Sequence, residues 1–383
     1  MDKPTVQDIF HRFYPAYLDQ YSPSPVQAKV AHNIMNCKTG AYGANVCVCE
    51  DCGFIQIHYN SCRNRCCPMC QAVPKEMWMD ARREDVLDAP YFHLVFTVPD
   101  ILNPVIYSNQ RLLYDALYHA ASSTISELTA DPKHLGAKVG YICILHTWGS
   151  EMNFHPHIHT ILLGGGLASN NQWKDNGENF FLPIRVISKM FRGKYLEELK
   201  RLWEEDKLVF HGTAEKFRNH YTFKELLDSC YGMDWIPHCK KTFNGAQTVI
   251  KYLGKYTHRI AVSNHRIVRM DDDTVTFLVK DYRNEGQWKE LTISGVEFVR
   301  RFLMHVPPRR FVRIRHYGLL CSRTKSQKLT FCRNLLGCKK YLSKLRDMEM
   351  PEILEHLYGI KFCVCKACGG HLGKPQMRMP LRC

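Results

Sequence analysis

Residues 155–166 read HPHIHTILLGGG, a histidine-rich segment followed by an apolar run and three glycines. Apolar and β-branched residues bounded by glycine predict a strand, and side chains alternate between the two faces of a strand. His155, His157 and His159 are therefore expected on one face, with Ile158 packed behind them. Imidazoles that converge from one face can bind a metal ion, so the segment predicts a metal site.

Two tyrosines lie further along the chain in a segment patterned as a helix. Tyr252 and Tyr256 are four residues apart and are flanked by Lys251 and Lys255. Tyrosines at this spacing beside an apolar stripe are more often packing residues than nucleophiles. Combined with the histidines and a basic chain, they instead indicate a phenolate that attacks a metal-polarised phosphodiester and holds the strand end as a phosphotyrosine ester.

The charge of the chain favours a polyanionic partner. Its 383 residues include 52 Lys+Arg and 37 Asp+Glu, a formal charge of +15, which suits nucleic acid. From Arg300 to Arg346 there are 14 Lys and Arg and no Asp or Glu. In a groove for single-stranded nucleic acid, the basic side chains would bind phosphates and the aromatic rings would stack on bases. The alternative is a solvated basic surface whose aromatic residues belong to the core. The interleaved aromatics are Phe302, Phe311, Tyr317, Phe331 and Tyr341.

The 18 cysteines could form disulfides in an oxidising compartment or bind metal in a reducing one. The start of the chain, Met1–Pro4, lacks the basic-then-apolar pattern of a signal peptide, and no apolar run is long enough to span a bilayer. We therefore expect a cytoplasmic, reduced protein. Eight cysteines lie between Cys37 and Cys70, which in a reducing compartment indicates metal binding.

Two Cys-x-x-Cys knuckles stand out in this cysteine-rich segment. Cys49 and Cys52 form the first, Cys67 and Cys70 form the second, and 14 residues separate them. This spacing predicts that the two knuckles together form one tetrahedral four-thiolate zinc site. Closed four-ligand sites are structural, so we expect this zinc to fold a DNA-contacting module.

Other cysteines could form a second zinc site. Cys37, Cys47, Cys62 and Cys66 remain in the same segment, with His32 and His58 nearby. The alternative is that Cys37 and Cys47 are ordinary buried thiols. A third knuckle, Cys365 and Cys368, lies near the carboxyl end of the sequence. It supplies only half of a zinc site, and its partners are not identified by spacing.

Hydrophobic periodicity predicts the secondary structure around these motifs. Helices are expected at residues 6–18, 25–36, 75–88, 109–128, 184–205 and 326–336. Strands are expected at residues 92–98, 138–147, 157–163, 235–242, 267–270, 274–279 and 287–293. The last three strands form a meander.

Three strings, in this order, resemble the rolling-circle transposases of the insertion sequence ninety-one family, which are HUH enzymes (His, hydrophobic, His). They are SCRNRCCPMCQ at 61–71, the histidine and glycine segment at 155–167, and YLGKYTHR at 252–259. The resemblance extends from about residue 5 to about residue 340. The family usually has His where this chain has Cys66. Because both residue types bind zinc, this departure supports a metal role for the position.

The resemblance implies an α+β fold. An N-terminal zinc-binding module would precede an HUH endonuclease domain, an antiparallel sheet with flanking helices, and a basic C-terminal region. His157 and His159 would lie on a central strand and bind Mg²⁺ or Mn²⁺ with a third ligand. His155 is the first choice for that ligand, and His146 and Gln247 are alternatives. Imidazole is softer than Mg²⁺ prefers, which favours Mn²⁺ or even zinc in the isolated protein.

Domain limits follow from changes in composition and from the resemblance. We expect a zinc-binding, DNA-contacting module at 1–88 and a catalytic domain at 89–262. A β-meander with a basic DNA-binding region would occupy 263–346, and a tail with the third knuckle would occupy 347–383.

The resemblance also implies a reaction. A tyrosine would nick single-stranded DNA at a transposon end, keep the 5′ phosphate and later rejoin it to a target strand. Tyr256 is favoured over Tyr252 because it lies in the more distinctive string. The reaction would take place in the bacterial cytoplasm, beside the nucleoid. Phosphates would be held by Lys251, Lys255, His258 and Arg259. Alternatives are a relaxase or replication initiator with the same chemistry, a catalytically inactive zinc-dependent DNA-binding protein, and a three-histidine zinc hydrolase.

Overall fold

The fold combines helices with antiparallel sheets, which confirms the expected α+β class. The computed structural model describes residues 3–175, 182–235, 237–243, 249, 254, 261–281 and 285–378. Within these residues the helices are α1 (Val6–Leu18), α2 (Pro25–Met35), α3 (Ala72–Arg83), α4 (Asn103–Ser108), α5 (Gln110–Ala130), α6 (Ile184–Glu204), α7 (His220–Gly232), α8 (Gly295–Met304), α9 (Lys325–Leu336) and α10 (Met350–Tyr358). None of the described helices is long and apolar enough to cross a membrane.

The strands form three sheets in the described part of the chain. They are β1 (Ala44–Val48), β2 (Ile55–Tyr59), β3 (Tyr91–Thr97), β4 (Lys138–Trp148), β5 (Phe154–Leu167), β6 (Trp173–Asp175), β7 (His238–Phe243), β8 (Ile267–Met270), β9 (Thr274–Asp281), β10 (Gln287–Ser294), β11 (Ile314–Gly318) and β12 (Gln376–Arg378). The sheet orders are β12-β1-β2, β10-β9-β8 and β11-β4-β5-β3-β7, with β6 also paired to β5.

The first two helices begin at the expected positions, and capping side chains fix both starts. The Thr5 hydroxyl accepts a hydrogen bond from the backbone N–H of Asp8, and the Asp8 carboxylate accepts one from the N–H of Thr5. Ser24 and Gln27 form the same reciprocal pair before α2. Such capping boxes satisfy N–H groups that have no partner inside a helix.

The histidine strand β5 lies in the middle of the largest sheet. Its neighbours β4 and β3 both run antiparallel to it. One face of the sheet packs on α5 and α6, and residues of β4 and β5 on that face are Tyr141, Cys143, Leu145, Ile158 and Leu162. The other face packs on α3 and α9 through Ile142, Ile144, Ile161 and Leu163. By this alternation His157 and His159 lie on the α3 face with Ile158 behind them, as predicted.

A second core joins the first two helices to a later part of the chain. Residues of α1 and α2 pack with α8 and with the β8–β10 meander. The Phe10 and Phe302 rings meet edge to face with centroids 5.2 Å apart. Gly295 begins α8 against the Phe13 ring, where an added Cβ would lie 2.2 Å from a ring carbon. The close approach of α1 and α8 therefore requires glycine at this position. Cys67 is buried in the same core.

The acid-free basic stretch is not the continuous single-strand groove that its composition suggests. Phe302 is completely buried and Phe311 is 2% exposed, so neither ring can stack on a base. Tyr317 stacks on Tyr141 with ring centroids 5.1 Å apart, and its strand β11 forms an edge of the main sheet. The prediction of base-stacking aromatics is wrong for Phe302 and Phe311, because packing against helices buries both rings.

Candidate functional site

Three histidines converge on the α3 face of the main sheet. Strand pairing places His146 of β4 opposite His157 of β5, where the Cβ atoms of paired residues are about 4.5–5.5 Å apart. All three side chains, those of His146, His157 and His159, are buried, and one ring nitrogen from each lies within 4.8 Å of the others. Such a group could hold a metal ion.

The hydrogen bonds of His157 fix which nitrogen faces the centre of the site. Its Nδ1 lies 2.7 Å from the backbone oxygen of His155, so Nδ1 carries the proton and donates it. The Nε2 lone pair of the neutral ring then faces His159 Nε2 at 3.0 Å. Metal–nitrogen bonds of about 2.0–2.1 Å place two adjacent donors about 3 Å apart. The separation therefore fits two ligands of one ion.

Burial keeps the imidazoles of His157 and His159 neutral. It lowers the pKa of His157 to about 4. It also lowers the pKa of His159 well below its usual value, with further lowering by the neighbouring His146. A metal ion binds the unprotonated imidazole, so at neutral pH both rings are in the form that a cation requires.

A fourth histidine positions the site, and sequence reasoning did not identify it. His93 of β3 is 4% exposed, and its Nε2 lies 2.9 Å from His159 Nδ1. When His159 Nδ1–H donates to His93, the His159 Nε2 lone pair turns toward His146 and His157. Ligand imidazoles are usually oriented by such a partner. The only signal in the sequence is a polar residue within the apolar strand β3.

Replacing His93 with alanine should weaken metal binding at the histidine cluster about 10–100-fold, the usual cost of losing an imidazole's outer hydrogen-bond partner. Titration of Mn²⁺ into the metal-free protein would measure this. His93→Gln keeps an acceptor for His159 Nδ1–H and should recover part of the affinity, which a purely structural role would not explain. His119→Ala, at an exposed position on α5, is the control. Equal affinity of His93→Ala and the unchanged protein would contradict the assignment.

His155 is not the third member of the cluster. Its Nδ1 instead lies 3.1 Å from a carboxylate oxygen of Asp100, and about a third of its side chain is exposed. His155 lies at the start of β5, beyond the residues that pair with β3, whereas β4 presents His146 directly across from His157. This geometry favours His146 over the first-ranked His155 as the third ligand, because His155 lies at the strand end with its ring turned to Asp100, whereas His146 is the cross-strand neighbour of His157.

The predicted tyrosines and phosphate-binding residues lie outside the described residues. These are Tyr252, Tyr256, Lys251, Lys255, His258, Arg259 and the alternative ligand Gln247. Two described residues bracket Tyr252. Val249 is buried in the core on the α3 face of the main sheet. Gly254 lies against Met79 of α3, whose sulfur would be 1.9 Å from an added Cβ. Both are on the face that carries the three histidines.

Among the described residues, eight cysteines form two groups of four, and the predicted pairing of knuckles is wrong. Cys67 and Cys70 meet Cys37 and Cys62, with all four sulfurs within 4.8 Å of one another. The Cys62 and Cys70 sulfurs are 3.8 Å apart, which matches the separation of about 3.8 Å expected for a tetrahedral ion with Zn–S bonds of about 2.3 Å. This group, named the N-terminal tetrad below, includes two of the cysteines expected in a second site.

The other two predicted ligands join a different group. Cys49 and Cys52 converge with Cys365 and Cys368. Cys66 belongs to neither group and is buried in the second core. The pairing fails because the hairpin of β1 and β2 carries the first knuckle away from the second and toward β12. Spacing along the chain does not report that pairing.

Comparisons with known proteins give consistent matches. The family model described as "Putative transposase" matches residues 140–328, and the model described as "Transposase zinc-binding domain" matches residues 9–98. The chain is 42% identical to "Putative transposase y4qJ" of Sinorhizobium fredii, covering 95% of this chain and 93% of that protein. It is 30% identical to the transposase for insertion sequence element IS801 of Pseudomonas savastanoi pv. phaseolicola, covering 79% and 72%.

Two solved structures of the conjugative relaxase TrwC in complex with oriT DNA also match, each at 12% identity and a TM-score of 0.25. The metal-free structure covers 43% of this chain and 71% of that one. The copper-bound structure covers 67% and 96%. A TM-score at this level does not establish a common fold.

Proposed function

The chain belongs to the transposase family of insertion sequence IS91 and has that family's N-terminal zinc-binding domain, and we propose on this premise that it nicks and rejoins single-stranded DNA by rolling-circle transposition. Its substrates are the ends of an insertion element and a target strand. The reaction proceeds through a 5′-phosphotyrosine intermediate. The protein acts in the bacterial cytoplasm, beside the nucleoid.

One observation carries the proposal. A buried cluster of His146, His157 and His159 lies on the paired strands β4 and β5, and Val249 and Gly254 pack against the same face of the sheet. Tyr252 is between these two residues in the sequence, and Tyr256 follows two residues later. The arrangement supports a metal ion and a phenol that act on the same phosphate.

The charge of the described surface supports a polyanionic partner. Part of the basic stretch binds acidic residues of the first hundred positions and is structural, as in the ion pairs of Arg346 with Glu84 at 2.6 Å and of Lys325 with Asp85 at 2.8 Å. Other cations of the stretch are exposed, and cations on a surface attract phosphates. The exposed ones include Arg309, Arg310, Arg323, Lys339, Lys340 and Lys344.

The imidazoles of His146, His157 and His159 would hold Mg²⁺ or Mn²⁺, which when bound would supply a positive charge that polarises the scissile phosphate. The Tyr256 phenol loses its proton and its oxygen attacks phosphorus. The bond from phosphorus to the 3′ oxygen breaks, and that oxygen takes up a proton to become a free 3′ hydroxyl. The 5′ phosphate stays on Tyr256, and Lys251, Lys255, His258 and Arg259 neutralise the flanking phosphates.

The reverse reaction completes strand transfer. A 3′ hydroxyl attacks the phosphotyrosine, a new phosphodiester forms, and the phenol leaves. Tyr252 serves as the second nucleophile, so a target strand can be opened before the first end is released. No nucleotide cofactor is needed, because the phosphotyrosine bond conserves the energy of the broken phosphodiester.

A covalent adduct tests this reaction. The protein is incubated with short single strands that span candidate element ends, with Mn²⁺ or Mg²⁺, and analysed under denaturing conditions. We expect an adduct that requires metal, is reduced more by Tyr256→Phe than by Tyr252→Phe, and is absent in the double variant. Tyr221→Phe, at a position that is 77% exposed on α7, controls for nonspecific effects of removing a phenol.

Other outcomes select other functions. No adduct across varied ends and both metals would favour a catalytically inactive DNA-binding protein. An adduct that persists in the double variant would mean that another side chain is the nucleophile. An adduct that forms equally well on strands without element ends would favour a relaxase or replication initiator.

A further inference from the structure

A second group of four cysteines joins the two ends of the chain. The sulfurs of Cys49, Cys52, Cys365 and Cys368 all lie within 4.8 Å of one another, although the two knuckles are more than 300 positions apart. We propose that these four thiolates bind a zinc ion of their own, which fastens the carboxyl-terminal tail to the N-terminal module. This group is named the terminal tetrad below.

The sulfur separations fit a tetrahedral ion. Cys49 Sγ is 3.5 Å from Cys368 Sγ, and Cys52 Sγ is 3.8 Å from Cys365 Sγ. Four sulfurs around one zinc at about 2.3 Å are about 3.8 Å apart. A disulfide requires about 2.05 Å, and all four cysteines are free thiols. The geometry is therefore that of four ligands around one centre.

The two knuckles have the same backbone structure. The N–H of Cys49 donates to the oxygen of Phe54 and the N–H of Gly53 donates to the oxygen of Cys49. The N–H groups of Cys365 and Gly369 make the equivalent bonds, to the oxygens of Gly370 and Cys365 respectively. Both glycines have a positive φ, +73° at Gly53 and +79° at Gly369, which favours glycine.

Backbone N–H groups also point at the sulfurs of the C-terminal knuckle. The N–H of Ala367 lies 3.4 Å from Cys365 Sγ, and the N–H of Gly370 lies 3.4 Å from Cys368 Sγ. Donors of this kind stabilise negative charge on sulfur and orient the ligand side chains without binding the metal themselves. The knuckle is thus built to hold thiolates, the form of cysteine that binds zinc.

Strand pairing carries the tail to this position. β12 pairs with β1, and Cys49 forms an isolated bridge with Leu372. The Phe362 ring stacks on His58 with centroids 4.3 Å apart. The apolar cluster beneath is small and consists of Cys47, Cys49, Cys365 and Leu372 with Phe362 at its edge. So small a core cannot hold a module together, and small modules of this kind usually depend on a metal.

The terminal tetrad extends beyond the matched zinc-binding domain, which contains Cys49 and Cys52. Its C-terminal half lies beyond residues 9–98 and 140–328, which the two family models match. None of its cysteines belongs to the N-terminal tetrad or to the histidine cluster. The inference therefore does not depend on the proposed nicking reaction.

Zinc stoichiometry tests the site in the full chain. Metal analysis is made in the His146→Ala background, so that the histidine cluster adds no zinc to the count. The protein purified under reducing conditions should then give two zinc ions per chain, one for each cysteine tetrad. The double variant Cys365→Ser, Cys368→Ser should bind one. Cys363→Ser, an exposed cysteine outside both groups, should still bind two. Unchanged zinc content in the double variant would overturn the proposal.

Alkylation of the unaltered protein gives a second test that does not depend on folding of a variant. Cys52, Cys363 and Cys368 are all exposed, so burial cannot explain a difference in their reactivity. Coordinated Cys52 and Cys368 should react with iodoacetamide far more slowly than Cys363, and a chelator should make all three react alike. Equal rates without chelator, or a disulfide between the two knuckles in reducing buffer, would overturn the proposal.

Discussion

His146→Ala is expected to abolish metal-dependent nicking, with a fall in rate of ~10³-fold or more. A bound metal ion stabilises transition-state charge by several kcal/mol, and each 1.4 kcal/mol corresponds to about a factor of ten. His146 is 4% exposed and faces His157 across the strand pair, so its removal leaves two ligands and a cavity. Nicking of an element-end strand and Mn²⁺ titration should both show the loss.

His155→Ala is the matched control for that experiment. His155 is also a histidine on the edge of the site, but it pairs with Asp100 rather than with the cluster. We expect this variant to keep most of the metal affinity and most of the nicking rate. Thermal unfolding of both variants separates loss of the ligand from loss of the fold. If His155→Ala were as damaging as His146→Ala, the third ligand would be His155 and the present assignment would be wrong.

Cys67→Ser is expected to release zinc from the N-terminal tetrad and to unfold the module around it. Structural zinc contributes about 10–16 kcal/mol of apparent binding free energy in small zinc modules, more than the stability of most domains. Cys37 and Cys67 are buried at 1% and 0% exposure in the core that joins α1, α2 and α8. Unfolding should therefore extend to residues 295–304 and be detected by hydrogen exchange and thermal denaturation.

Cys66→Ala is the matched control because Cys66 is the adjacent, equally buried cysteine, at 2% exposure. It lies outside the N-terminal tetrad. Its replacement should retain zinc and should cost only about 1–2 kcal/mol of unfolding free energy, as is usual for a small change in a core. Loss of zinc in Cys66→Ala would show that this position is a ligand.

Elements defined by local signals are predicted well from the sequence. The helix expected at 6–18 is α1, the strand expected at 267–270 is β8, and the helix expected at 184–205 is α6 within one residue. Capping residues and apolar periodicity act over a few positions, so they are visible in the sequence. The helix expected at 75–88 begins and ends earlier, at Ala72–Arg83, because neither of its ends has a side-chain cap in the sequence.

Several elements are absent from the sequence prediction. The strand β11 and the helix α8 lie in or beside the basic stretch, where charge obscures the apolar pattern. In α8 the buried residues Phe298, Val299, Phe302 and Leu303 do follow helical spacing. The Ser294 hydroxyl also accepts a hydrogen bond from the Glu297 N–H at the helix start, so α8 has local signals that the prediction missed, whereas its contact with α1 is a tertiary feature. Tertiary packing thus decides which face of a mixed segment is buried.

Short-range patterns in the sequence predict the local groups of reactive side chains. They identify the histidine strand, with His157 and His159 on one face, and the local pairs of cysteines, because alternation along a strand and a tight turn each fix neighbours within a few positions. Which of these groups meet depends on tertiary structure. His146 and His93 reach the site on β4 and β3, which both pair with β5, and Cys365 reaches Cys52 through the pairing of β12 with β1. Contacts between distant segments depend on the free energy of the whole fold, and spacing along the chain does not record them.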